Sequence, residues 1–191
     1  MGPPAEKPRR ATYAEYAAVP AHKRAEIING VLHVFPRPGG PHVVTSSQIG
    51  GELSPFNPFG RRRGGPGGWW ILDEPEVHLL HEEPLVPDLA GWRLERMPEL
   101  PATAYFTLPP DWICEVLSKS TEKTDREEKM PLYAAHGVRH AWLVDPIAKT
   151  LEVYTLGANG KWGEPVIHRG TEVVRAVPFE AIELELSALW A

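Results

Sequence analysis

Residues 111–118 read DWICEVLS, a run with few polar side chains on either face. A strand of this kind has no solvated side and belongs in a sheet covered above and below. Glu115 stands in the middle of it, between Cys114 and Val116. A carboxylate in such surroundings is costly to bury unless it is paired or bound to a cation. The same anomaly occurs once more, at Asp88 in LVPDLAGW, flanked by Val86, Leu89 and Ala90.

The rest of the chain is organised around these two strands. Thr12 with Glu15 three residues later predicts a capped short helix ending near Pro20. RAEIINGVLHVF predicts a hairpin turning at Asn29-Gly30. PHVVTSSQIGGELSPF predicts a second helix, stopped by Pro55. NPFGRRRGGPGG reads as a loop whose Arg61, Arg62 and Arg63 are available to phosphate. WWILDEPEVHLL and VPDLAGWR read as strands joined by the acidic turn HEEP. STEKTDREEKMPLYAAHGV reads as a helix closed by Gly137, with Pro131 as a kink or its true start. RHAWLVDP and TLEVYTLG are two further strands joined by a hairpin, and the tail FEAIELELSALWA predicts an extended piece and a short helix. This order predicts an α/β (α+β) fold with a mixed sheet, in one domain over residues 11–191 behind a mobile tail at 1–10.

Bulk properties narrow the function classes. At 191 residues with 42% hydrophobic content the chain is long enough for a real core. The single cysteine, Cys114, excludes an internal disulfide and Cys-based zinc sites, and its apolar neighbours predict packing rather than reactivity. No run approaches the roughly 20 apolar residues of a membrane span, and MGPPAEKPRR lacks the apolar core of a secretory signal. A cytoplasmic protein is expected. The net charge of −5 means that binding to nucleic acid would be local or metal-mediated.

Pro110-Asp111 followed by Glu115 suggests half of a metal-nuclease signature, PD…(D/E)xK. Spacing argues against that pair. Four residues along one strand separate the two Cα atoms by about 13 Å, whereas Mg²⁺ holds oxygens at about 2.1 Å. Asp111 is expected to cap the strand. Asp88 is 27 residues earlier, on another strand. Adjacent strands lie about 4.8 Å apart, which brings Asp88 and Glu115 within reach of one ion. The alternative is that each acid makes an ordinary ion pair with a cation such as Arg93 or Lys119.

AEIINGVLHVFP, VPDLAGW, the block CEVLSKSTEKTDREEKMPLYAAHGVRHAWLVDPIAKTLEVYTL and the late LELSALW together resemble the Uma2 family (DUF820) of restriction-endonuclease-like proteins in the PD-(D/E)xK superfamily. The resemblance runs from about Thr12 to Trp190. It implies a mixed sheet flanked by helices and a metal-dependent endonuclease acting on nucleic acid, DNA in the first instance, with Mg²⁺ or Mn²⁺. It also implies that the lysine absent at Leu117 is replaced from the following helix by the pattern Asp125, Lys129, Tyr133, whose four-residue spacing puts the three on one face. Lys119 is the competing lysine. Glu26 matches an early family acid that contacts the metal, His42 an early family histidine that touches phosphate, and Glu76 a position often acidic in relatives. Asp88, Glu115 and the Val116 carbonyl would hold the ion, with Glu26 beside it. Pro131, and Lys119 where many relatives carry proline, are departures from the pattern. A catalytically inactive binding or scaffold module is the alternative, favoured by the acidic net charge and the missing strand lysine. A hydrolase of small phosphate esters is a third. Trp142, Tyr154 and Trp162 hint at a self-interface, hence a possible homodimer.

Overall fold

The computed structural model of the protein describes residues 9–80 and 83–190. Most of the expected N-terminal tail and the first two residues of the HEEP turn lie outside these. Within that tail Arg9 pairs with Glu15 and Arg10 with Glu83.

Thr12 and Glu15 form the expected capping box ahead of α1 (Tyr13–Ala17). A hairpin of β1 (Lys23–Ile28) and β2 (Val31–Pro36) follows. Asn29 and Gly30 take φ of 53° and 83°, the left-handed pair that a two-residue I′ turn requires. Then come α2 (Gly40–Leu53), a 3₁₀ turn Ser54–Phe56, and α3 (Pro58–Arg62). The strands β3 (Trp69–Asp73), β4 (Val77–Leu80), β5 (Glu83–Leu85), β6 (Leu89–Arg93) and β7 (Trp112–Val116) lead to a helical crossover. The crossover consists of α4 (Glu122–Thr124), a π turn Asp125–Lys129 and α5 (Met130–Ala135). The chain finishes with β8 (His140–Asp145), β9 (Thr150–Thr155), β10 (Val166–Arg169), β11 (Val173–Val174), β12 (Leu184–Glu185) and a 3₁₀ turn Leu186–Leu189.

Six strands make the central sheet in the order β10-β9-β8-β7-β6-β3. Only β7 and β8 are parallel, and the α4–α5 segment supplies the crossover that a parallel pair needs. The mixed sheet flanked by helices is the expected class. β7 is central and fully buried. Its side chains alternate between two cores. Trp112, Cys114 and Val116 join Trp142, Phe179 and Leu189 on one face. Ile113 joins Ala141, Leu143, Met130 and Tyr133 on the other. Cys114 is 0% exposed, in keeping with a packing role.

Three expectations change. WWILDEPEVHLL is not one strand: Glu74 turns left-handed (φ 44°), Pro75 lacks a donor, and β4 leaves to pair with β5 in a separate two-stranded sheet. The stretch read as a loop contains the five-residue α3. The aromatics that suggested a self-interface are committed to packing. Trp142 is 1% exposed, Trp162 Nε1 donates to the Met130 carbonyl at 2.8 Å, and Tyr154 donates to Glu152 at 2.7 Å.

Candidate functional site

The carboxylates converge where β6 begins and β7 ends. The register pairs Leu89 with Cys114, so one further step sets Asp88 opposite Glu115. Directly opposed residues have Cβ atoms about 5 Å apart. Asp88 Oδ2 accepts the Val116 N–H at 2.7 Å, which ties its carboxylate to the last residue of β7. Its Oδ1 accepts from Arg24 at 3.0 Å, and His42 Nε2 lies 3.2 Å from Oδ2.

Glu115 faces the core of Ile113, Met130 and Tyr133, and one of its oxygens carries the contacts. Oε1 lies 2.8 Å from Lys129 Nζ and accepts from the Tyr133 hydroxyl at 2.6 Å. Lys129 Nζ also lies 3.0 Å from Glu26 Oε2 and 3.6 Å from Asp125. Glu26 in turn accepts the Val86 N–H at 3.0 Å. Lys129 is 1% exposed, so its ammonium is solvated almost wholly by three carboxylates.

Pro131 explains how Lys129 gets there. Proline has no N–H and clashes with the carbonyl four residues back in a regular helix. Here it occupies the first turn of α5, where that donor is not needed, and the preceding turn widens to π geometry over Asp125–Lys129. Single π turns of this type cluster at functional sites. The helix ends in a Schellman motif, with Val138 N–H donating to Tyr133 O and Gly137 N–H to Ala134 O. Asp125, Lys129 and Tyr133 are all buried on the side facing β7.

Electrostatics follow from the head count. Four buried carboxyl groups, Glu26, Asp88, Glu115 and Asp125, share two full cations, Arg24 and Lys129. Burial pushes Glu115 well above the usual carboxylate range, and repulsion from Asp125, Asp88 and Glu26 adds to it against the pull of Lys129. Burial likewise raises Asp125, to about 6. For Asp88 burial acts upward too, but the His42 hydrogen bond and the Arg24 guanidinium outweigh it and hold the carboxyl below its ordinary value. Lys129 is held firmly protonated by its three carboxylates despite the cost of burial.

Asp125 yields a pH prediction. The folded protein holds this proton more tightly than the unfolded chain, so its contribution to stability is full below about pH 4 and is lost as pH rises through about 6. The contribution is at most about 3 kcal/mol. In EDTA the stability gap between wild type and Asp125→Asn should therefore change by up to that amount between pH 4 and 7, at the wild type's expense. Denaturant midpoints at half-unit pH steps measure it, and a constant gap would contradict it.

The remaining candidates separate. Asp111 accepts the Arg93 N–H at 2.9 Å and pairs with Arg96 at 2.8 Å, the strand-capping role its spacing implied. Asp111→Ala should cost about 1–3 kcal/mol by removing the acceptor of the half-buried Arg93 N–H, and leave Mn²⁺ affinity unchanged. Thermal denaturation and Mn²⁺ titration of one variant read both. Lys119 is exposed and outside the cluster. Glu76 binds Tyr16 at 3.0 Å and His78 at 2.7 Å instead of joining the acids. His42 lies in the first turn of α2, not in a loop, and is spent on Asp88 rather than held free for phosphate. Arg24 is the residue that sequence reasoning missed. It lies two positions before Glu26 on β1, and period-two alternation puts both on one face. A cleft of about 360 Å³ reaches Asp88 from solvent between α2 and the end of β3, lined among others by Arg37, Ser46, Ser47, Asp73 and Glu74.

The profile of the Uma2 family, described as "Putative restriction endonuclease", matches residues 11–188, and the chain belongs to that family. Among solved structures it is similar to a crystal structure described as "a putative nuclease belonging to DUF820" from Anabaena variabilis ATCC 29413. The TM-score is 0.69 at 22% identity, over 94% of this chain and 97% of that one. At that identity the likeness speaks for the fold. No curated protein matches the chain. Among the described residues no helix is long and apolar enough to cross a membrane.

Proposed function

We propose that this chain is a metal-dependent endonuclease that hydrolyses phosphodiester bonds of nucleic acid, with DNA as substrate and Mg²⁺ or Mn²⁺ as cofactor. The observation that carries the reading is the buried cluster of four carboxyl groups, Asp88 and Glu115 among them, around only two cations. A divalent cation would let such a cluster stay ionised together. Among the described residues no three His, Cys, Asp or Glu side chains are grouped to hold a metal. Mg²⁺ needs fewer, because it keeps several waters and binds through one or two carboxylates. Asp88, Glu115 and the Val116 carbonyl would hold it, with Glu26 beside them. Such an ion lowers the pKa of a bound water and offsets charge on the scissile phosphate.

The chain's own residues do the rest. Arg24 and His42 keep Asp88 ionised and aimed. The Tyr133 hydroxyl fixes the rotamer of Glu115. Lys129 would orient the attacking water or offset the charge that develops on the pentacovalent phosphate. The family and the similar fold support a nuclease.

One observation favours the second reading, a nuclease-fold binding module that does not cleave. Asp88 and Glu115 each already have a protein cation beside them, Arg24 at 3.0 Å and Lys129 at 2.8 Å. The test is incubation with supercoiled plasmid and with single-stranded DNA in Mg²⁺, Mn²⁺ or EDTA. Nicking that needs the metal is expected. No cleavage under any condition, or cleavage that persists in EDTA, would contradict the enzyme.

A further inference from the structure

Between Glu52 and Asp73 the chain carries three arginines, Arg61, Arg62 and Arg63, and no acid, in a protein whose net charge is −5. All three are exposed. Among the described residues Arg61 and Arg63 make no salt bridge.

The segment is built rather than slack. Asn57 accepts the Ile71 N–H at 2.7 Å and donates to the Ile71 carbonyl at 3.5 Å, which fastens it along β3 at the sheet edge. Gly65 N–H donates to the Gly60 carbonyl at 2.9 Å and Gly67 N–H to the Pro55 carbonyl at 3.2 Å. A Cβ on Gly60 would lie 2.4 Å from Pro55 Cα, and one on Gly65 2.5 Å from the Pro55 oxygen, so the fold of this segment requires glycine at both. Beside it opens a cleft of about 520 Å³, walled by Asn57, Arg63 and glycine backbone.

Its place relative to the carboxylates follows from the register. Trp69 pairs with Arg93 and Asp73 with Leu89, so Asp88 adjoins the Asp73 end of β3, whereas Arg61 packs against Gly67, just ahead of the Trp69 end. Four residue steps span about 13 Å. Duplex DNA advances about 3.4 Å per nucleotide along its axis. A duplex with its scissile phosphate at Asp88 that followed β3 would reach Arg61 no sooner than about four base pairs away.

We infer that the segment bearing Arg61, Arg62 and Arg63 is a sequence-independent anchor for the phosphate backbone of nucleic acid, engaged without metal and without the buried carboxylates. The inference rests on the nuclease reading only for the identity of the polyanion. Contacts of this kind fix position along the duplex and carry no base information.

Fluorescence anisotropy of a labelled 20-base-pair duplex in EDTA tests it, with salt varied from 50 to 200 mM. The slope of log affinity against log salt is about 0.9 per phosphate contact. Changing all three arginines to glutamine should lower the slope by about 2 to 3 and weaken binding at 50 mM salt at least tenfold, with the fold retained by circular dichroism. Asp88→Asn should keep the wild-type slope, so failure of the cleavage assay leaves this result standing. Unchanged slope and affinity in the triple variant, or no duplex binding by the wild type, would overturn the inference. Equal, arginine-dependent binding to polyglutamate of matched charge would overturn the assignment to nucleic acid.

Discussion

Replacing Lys129 by methionine is expected to destabilise the metal-free protein by about 3–5 kcal/mol at pH 8, the usual cost of removing one partner from a buried ion pair. Methionine fills a similar volume, so the loss is electrostatic rather than a cavity. Glu26, Glu115 and Asp125 would then face one another without the ammonium that now lies 3.0, 2.8 and 3.6 Å from them. Total stability of a domain is commonly 5–15 kcal/mol, so the variant will be marginal. Protonation offers relief. Burial has already raised Asp125 to about 6 and Glu115 well above the usual carboxylate range, so the deficit should shrink at pH 5. Divalent cation should also recover part of it, since a ligand that binds only the folded state stabilises by mass action. Urea denaturation at pH 5 and pH 8, each with EDTA or Mn²⁺, reads all three effects. A variant as stable as wild type at pH 8 in EDTA would mean that Lys129 does not carry the cluster's charge.

Asp88→Asn should abolish cleavage while the fold survives. Asparagine preserves the shape and can still accept the Val116 N–H through its carbonyl oxygen. It removes the charge that Arg24 and His42 now hold in place. A metal's stabilisation of transition-state charge is worth several kcal/mol, and about 4 kcal/mol corresponds to a thousandfold in rate. Cleavage should fall by that factor or more, with the melting temperature changed far less than in Lys129→Met. Arg24, left without its carboxylate partner, still has Glu74 within 3.6 Å. Retained cleavage would remove Asp88 from the site.

The Asp88–Glu115 pairing was readable because each acid stood alone in an apolar strand and neutral side chains surrounded both. Strand spacing alone disqualified Asp111, which indeed caps its strand. Lys129 came through a family resemblance, and its geometry did not, because Pro131 posed a conflict whose solution is a π turn set by tertiary packing. Arg24 was accessible in principle, since RAEII alternates and Glu26 was already a candidate. It was passed over because a lone arginine on a hairpin normally faces solvent. The strands β10 and β11 escaped notice for a different reason. At four and two residues they carry too little alternation to register, and they exist because the sheet edge and the C-terminal segment offer them partners.

The buried acids define the proposed function, so their affinity for a divalent cation is the quantity that matters most. Calorimetric titration of Mn²⁺ into the wild-type protein and into Asp88→Asn and Glu115→Gln, at pH 7.5, measures it without reference to any substrate. One ion per chain is predicted for wild type, with binding weakened at least tenfold in each variant. No binding by wild type, or equal binding by all three, would contradict a metal site between Asp88 and Glu115.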